Sequence, residues 1–259
     1  MRIDIATLFP EMCDSVINES ILGRAVRNGC IEVYTHNIRL YTEDRHRNVD
    51  DKPYGGGTGM IMQAQPIYDC VMAIISQQRS RNITAPVIYL SPQGETLTQR
   101  KVCELAQEKG LILICGHYEG VDNRVLEELN AQELSIGDYV LTGGELPALI
   151  LTDAVARLQE GVLPNEDAYS IESHFNGLLE YPQFSRPEVW RSRAVPPVLL
   201  TGDHKKIAEW KEEAALETTR LKRPDMYEKY LIDHAEEFAE KRRREEKRAA
   251  RKRKKSLDN

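Results

Sequence analysis

Absences narrow the class of this 259-residue chain first. It has only five cysteines (Cys13, Cys30, Cys70, Cys103, Cys115), an odd number with no C-x-x-C spacing. A disulfide framework and a zinc site are therefore not expected, and a reducing cytoplasmic compartment is. No stretch reaches 18 consecutive apolar residues, so no membrane span and no membrane partner are expected. The opening MRIDIATLFPEM carries Asp4 and Pro10 within its apolar run and reads as a first strand rather than a signal peptide. Internal repeats are missing, and 16 Gly and 12 Pro are too few for a fibrous or low-complexity chain. With 41% apolar and 29% charged residues, the length suits one large domain or two modest ones, each with a core of its own.

The net charge of −6 conceals an asymmetry. Residues 241–259 hold eleven Lys/Arg against three acids, a local charge of +8, which leaves −14 on the other 240 residues. An acidic body thus carries a basic tail. Its eleven cations fall within fifteen residues and would span about 22 Å as a helix. Such a tail either binds RNA by releasing counterions or serves solubility.

Short apolar runs at residues 3–8, 31–33, 85–90 and 111–115 read as buried strands, and residues 11–28, 67–78, 97–108 and 124–129 as helices. That alternation predicts an α/β domain with a largely parallel sheet. A long amphipathic helix is expected over 149–158, then a polar linker over 163–176. Purely helical patterns follow at 205–220 and 227–241. The expected organisation is an α/β domain at 1–162, the linker, a small helical domain at 177–240, and the tail.

Four loops draw attention. YGGGTGM at 54–60 contains Gly55, Gly57 and Gly59 in a G-x-G-x-G pattern, but a polar Pro-containing stretch precedes it and no Lys-Ser/Thr follows. It fits neither a dinucleotide fingerprint nor a P-loop. A flexible loop that closes over a ligand is preferred to one that holds RNA phosphate. The segments at 89–94, 115–122 and 135–145 each read as following an apolar strand and carrying Gly or Pro. In open α/β sheets ligands sit outside the carboxyl ends of strands, so these three loops are expected to converge. Their glycines, apolar side chains and backbone amides suit an adenine-bearing ligand better than a metal, and no metal ligand set is assigned.

The motifs DDKPYGGGTGM (50–60), YLSPQG (89–94), CGHYEGVDNRV (115–125), SIGDYVLTGGELPALILTDAVAR (135–157) and GLLEYPQFSRPEVW…VPPVLLTGDH (177–204) together resemble the bacterial tRNA (guanine-N(1))-methyltransferases of the SPOUT superfamily. The resemblance covers all but about the last twenty residues. It implies a deep trefoil knot in the α/β domain, a knotted SPOUT-type parallel sheet, that binds S-adenosyl-L-methionine (SAM). The matching cofactor positions are Tyr89, Leu90, Ser91, Pro92, Gly116, Ile136, Gly137, Asp138, Tyr139, Val140, Leu141, Gly143, Gly144 and Pro147. It further implies methyl transfer to N1 of guanosine 37 of tRNA, beside the anticodon, by a homodimer whose active site is shared between protomers. By analogy a divalent ion, Mg2+, is also implied, although no acidic cluster specifies it.

Guanine N1 carries a proton, so a base must remove it, and a cation must stabilise the charge that develops on O6. The resemblance supplies Arg157 as the cation. The family's Asp aligns with Glu172, one methylene longer, with Asp167 as the rival base. Glu119 matches the guanine-binding carboxylate, which would accept from the donor edge of the base. Asp122, Gly57, Gly59 and Arg186 complete the expected substrate side, and His117 stands where the family often has Arg. Arg186, Arg191, Arg193, Lys205 and Lys206 are expected to hold tRNA. The alternatives are a related methyltransferase acting on another nucleoside, or a silent RNA-binding protein that keeps the fold.

Overall fold

The computed structural model describes residues 1–164, 172–236, 238–240 and 243. It divides into two compact units, Met1–Glu166 and Asp167–Asn259, with the division inside the expected linker.

The first unit is built on a five-stranded parallel sheet: β1 (Arg2–Thr7), β2 (Glu32–Asn37), β5 (Val87–Thr96), β6 (Gly110–Cys115) and β7 (Gln132–Ser135) in the order β2-β1-β6-β5-β7. A small antiparallel pair, β3 (Asp50–Asp51) and β4 (Ile61–Met62), brackets the glycine-rich loop. Strand alternation sends Ile3, Ile5, Leu111, Leu113, Ile88 and Leu90 to one face. There they pack under α1 (Pro10–Ile17), α2 (Ser20–Arg27), α4 (Gln99–Leu105) and α6 (Glu145–Ala156). Ala6, Ile112, Ile114, Val87 and Tyr89 go to the other face, under α3 (Ala64–Ser80) and α5 (Asn123–Glu128). Helices thus cover both faces, as continuous apolar strands in a parallel sheet require. No helix among the described residues is long and apolar enough to cross a membrane.

Several expectations need adjusting. The helix expected over 11–28 is two helices, because Glu19 is extended and Ser20 has φ +54°. Asn18 ends α1 by donating its side-chain amide to the Asp14 carbonyl at 2.8 Å. Gly23 then lets the turn fold back, since a Cβ there would collide with the Asn18 carbonyl oxygen. Strand β2 runs to Asn37 rather than stopping at residue 33, and β7 was not expected at all. Both are edge strands, paired on one side only, and their sequences EVYTHN and QELS lack an apolar run. The segment 91–94 is a bulge within β5, whose pairing to β7 jumps from Leu90 to Glu95. Helix α6 starts at Glu145 rather than 149, and Pro147 fits in its first turn because an N–H there has no helical acceptor.

In the second unit, β8 (Val189–Trp190) and β9 (Arg193–Ala194) form a two-stranded hairpin. Helices α7 (His204–Lys222) and α8 (Pro224–Asp233) follow. Asp203 caps α7 by accepting from the Lys206 N–H, and Pro224 restarts the chain as α8. In this unit Tyr181 and Phe184 meet Trp210, at 6.2 and 6.4 Å between ring centroids. Thr219 is fully buried and accepts from the Leu179 N–H at 2.8 Å.

Candidate active site

The carboxyl ends of β5, β6 and β7 open on one cavity of about 270 Å³. It is lined by residues 89–93, 116–121 and 133–144 except Asp138, together with Asn123, Leu126 and Pro147. After β7 the chain does not stay at the sheet edge. It crosses the ends of β5 and β6, where the Gly144 N–H donates to the Gly116 carbonyl at 2.8 Å and Gly143 bridges to His117. A Cβ on Gly144 would lie 2.7 Å from Cys115 Cα, so only glycine permits this crossing. At Gly137 the requirement is conformational: φ is +148°, and a tight turn follows in which the Tyr139 N–H donates to the Gly137 carbonyl at 2.9 Å.

Behind the crossing, Glu145 is 3% exposed in the first turn of α6, and Thr7 Oγ1 donates to its Oε1 at 2.7 Å. A carboxylate at a helix N-terminus is favoured by the dipole. Burial, helped by this carboxylate, raises the Cys13 thiol to about 12 and pushes Cys115 well up, so both remain neutral. Burial, and then Glu133, also raises the Tyr89 phenol. The ring of His117 sits 5.0 Å from Phe9 and 4.8 Å from Tyr118, and its Nδ1 is buried without a hydrogen-bond partner among the described residues. Bare backbone, the apolar Leu90, Ile136, Leu141 and Pro147, and this orphaned nitrogen fit an adenine-bearing ligand. Among the described residues no group of three or more His, Cys, Asp or Glu could hold a metal ion.

Of the expected cofactor residues, Tyr89, Leu90, Ser91, Pro92, Gly116, Ile136, Gly137, Tyr139, Val140, Leu141, Gly143, Gly144 and Pro147 line this cavity. Asp138 does not: it is the exposed apex of the turn after Gly137. Glu119 lines the same cavity, and its N–H donates to the Met60 carbonyl at 3.0 Å. Its side chain lies against Gly59, where a Cβ would approach Glu119 Oε1 to 2.5 Å. Gly57 faces open space.

Asp122, expected on the substrate side, lies outside this cavity. Its carboxylate caps α5, accepting from the Arg124 N–H at 3.1 Å, and is bonded to the Arg124 guanidinium, which holds its pKa low. It lines a separate open groove with Tyr54, Tyr68 and Lys52 rather than the cavity that holds Glu119. A capping carboxylate and a substrate-binding one look alike in sequence; in the fold Asp122 caps α5 and is bonded to Arg124.

Arg157 is the half-buried C-cap of α6 in the first unit, and Glu172 is half-buried at the start of the second. Arg186 is exposed in the second unit. Asp167, residues 165–171 of the linker and nearly all of the basic tail lie outside the described residues. Sequence reasoning missed Gln93, Asn123, Glu133 and Thr142 as cavity residues, and left Tyr118 and His117 without a cofactor-side place. Glu133 was hidden by the unrecognised edge strand, whereas His117 and Tyr118 stood beside Glu119 in the CGHYEGVDNRV motif.

A family model described as tRNA (Guanine-1)-methyltransferase TrmD matches residues 1–229. The chain belongs to this family. Among its TrmD-family relatives, the tRNA (guanine-N(1)-)-methyltransferase of Ruminiclostridium cellulolyticum is 52% identical over 229 residues, 88% of this chain and 97% of that protein. The protein of the same name from Chloroflexus aurantiacus is 53% identical over 226 residues, 87% of this chain and 88% of its own. A third, from Lachnospira eligens, is 48% identical over 238 residues, 92% of this chain and its whole length.

Proposed function

We propose that this protein transfers a methyl group from SAM to N1 of a tRNA guanosine, at position 37 beside the anticodon, in the cytoplasm. The observation that carries the reading is the glycine-lined cavity at the carboxyl ends of β5, β6 and β7, with Glu119 on its rim, in a member of this family. When bound, SAM supplies an electrophilic methyl on a sulfonium whose sulfur departs as a neutral thioether.

The chain's own residues do the rest. Backbone groups of 89–92, Gly116, 136–137 and 139–144 would hold the adenosine and methionine portions. Glu119 accepts hydrogen bonds from the guanine donor edge, which adenine lacks. Glu172 takes the N1 proton, and Arg157 stabilises the charge developing on O6. Because N1 lies on the Watson–Crick edge, the target base is unpaired and turned into the pocket. No step is assigned to Mg2+.

We infer two architectural features as well. The segment 136–144, which crosses the ends of β5 and β6 before α6 packs on β1 and β6, is read as the threaded part of a trefoil knot. The second is a homodimer with a shared site. Met12 and Val16 of α1 and Leu146 and Ile150 of α6 leave apolar side chains 42–47% exposed on two neighbouring helices, a face suited to a second copy.

The test is methyl transfer from labelled SAM to tRNA transcripts with G or A at position 37, followed by nucleoside analysis. N1-methylguanosine from the G transcript alone is the expected result. Label on both transcripts would move the target to another nucleoside, and no label with cofactor bound would remove the catalytic reading.

A further inference from the structure

A second cavity, of about 230 Å³, lies at the amino ends of β5 and β7, where the methylation pocket does not reach. Ile75, Gln78 and Arg79 of α3 line it together with residues 83–87 and with Leu129, Asn130 and Gln132. The two cavities share strands but no residue: Val87 and Gln132 line this one, Tyr89 and Glu133 the other.

Gln78 sets what the cavity asks of a ligand. It is only 1% exposed, and its Nε2 donates to the buried Asp4 carboxylate at 2.7 Å. That bond fixes the amide, because only its NH2 end can donate to a carboxylate. Oε1 is left without a hydrogen-bond partner among the described residues, on a side chain that lines the cavity. An acceptor so deeply placed calls for a donor. Helix α3 ends at Ser80, two residues on, and the negative end of its dipole favours a donor that is positively charged.

Arg79 asks for the opposite sign. Arg81 is paired with Glu32 at 2.6 Å, but Arg79 has no ion pair among the described residues. No Asp or Glu is among the residues that line the cavity, so nothing there answers the guanidinium. A carboxylate suits it, since the planar fork takes two oxygens at once. Ile75, Ile83, Val87 and Leu129 supply the apolar surface.

We propose that this cavity binds a small zwitterion, an apolar α-amino acid. Its ammonium donates to Gln78 Oε1, its carboxylate pairs with Arg79, and its side chain packs on Ile83 and Leu129. The volume is below the range of about 300–1,000 Å³ that drug-sized ligands need, and suits a molecule of this size. The inference stands apart from the methyl-transfer reading, because the two sites have no residue in common.

The test uses the full chain with L-leucine as the probe, by calorimetry, in saturating SAM so that the methylation pocket is filled. Leucine is expected to bind. Two analogues, 4-methylpentanoate without the ammonium and 3-methylbutylamine without the carboxylate, should each bind about ten-fold more weakly or worse. Arg79 is exposed, so its replacement leaves the core intact. Arg79→Gln should weaken leucine about ten-fold and leave 3-methylbutylamine unchanged, and Arg79→Lys should recover part of the loss. SAM affinity and the thermal midpoint without leucine should match wild type in both variants. Leucine bound as tightly by Arg79→Gln as by wild type overturns the site. Leucine displaced by SAM overturns it too, by placing the amino acid in the methylation pocket. So does wild type that binds no leucine up to about 10 mM. None of these results bears on methyl transfer, which its own assay decides.

Discussion

Gly144 lies against Cys115 where the chain crosses the sheet: its N–H donates to the Gly116 carbonyl at 2.8 Å, and an added Cβ would sit 2.7 Å from Cys115 Cα. Cys115 is fully buried at the end of β6, so the backbone has nowhere to retreat. Gly144→Ala must therefore lift the 136–144 segment from the strand ends. Overpacking of this kind costs about 1–3 kcal/mol. We expect SAM affinity to fall at least ten-fold by calorimetry, more than the loss of stability alone would give. Wild-type affinity would show that the crossing does not shape the cofactor cavity.

A buried charge network gives a pH prediction. Asp4 is fully buried on β1 and accepts from Arg2 at two positions, from His36 and from Gln78, each at 2.7 Å. Burial alone would raise its pKa, but hydrogen bonds from His36, Arg2 and Gln78 hold it below the usual value. A depressed folded-state pKa stabilises the fold above the unfolded pKa of about 4, and that contribution is lost as pH falls through the folded value. Urea unfolding of Asp4→Asn should therefore show a flatter stability curve below about pH 4 than wild type. At neutral pH the variant should be less stable by about 3–5 kcal/mol, because it leaves the Arg2 charge without its counter-ion. Parallel curves would assign the acid sensitivity to other carboxylates.

Glu119→Gln tests guanine selection. The amide keeps the size and one acceptor but gives up the carboxylate charge and turns its other oxygen into a donor, which clashes with the guanine donor edge. Methyl transfer to a G37 transcript should drop by about 10²-fold in kcat/KM, with SAM affinity retained. Undiminished discrimination between G37 and A37 transcripts would take Glu119 out of the base-reading role.

The general base is resolved by a pair of variants. Glu172→Ala should lower single-turnover methyl transfer by about 10²- to 10⁴-fold, with tRNA and SAM binding preserved. Asp167→Ala should leave the rate near wild type. The opposite pattern would transfer the proton-acceptor role to Asp167.

Some of the fold was legible because of where the strands lie. The runs around residues 3–8, 85–90 and 111–115 are the three central strands, flanked on both sides and covered on both faces, so nearly every position is apolar. The outer strands β2 and β7 face a neighbour on one side only and tolerate Glu, Gln, Thr and Asn, which removes the pattern. The break at Asn18–Ser20 is hidden because Asn, Glu and Ser are all admissible within a helix; contact with Gly23 decides it. The β8–β9 hairpin is illegible for a related reason, since its turn uses Arg-Ser in place of Asn-Gly.

By itself the sequence determined the family, the central strands and the chemical character of the loops, because motifs, apolar runs and glycine spacing are written in consecutive residues. Only the tertiary structure decided that three loops over fifty residues of chain meet in one cavity. It alone buried Glu145 beside Thr7 and orphaned the His117 nitrogen, and it set Asp122 at the start of α5 while Glu119 lines the cavity. Burial and hydrogen-bond partnership arise from segments distant in the chain, and two carboxylates three residues apart acquire different surroundings only when the rest of the fold closes around them.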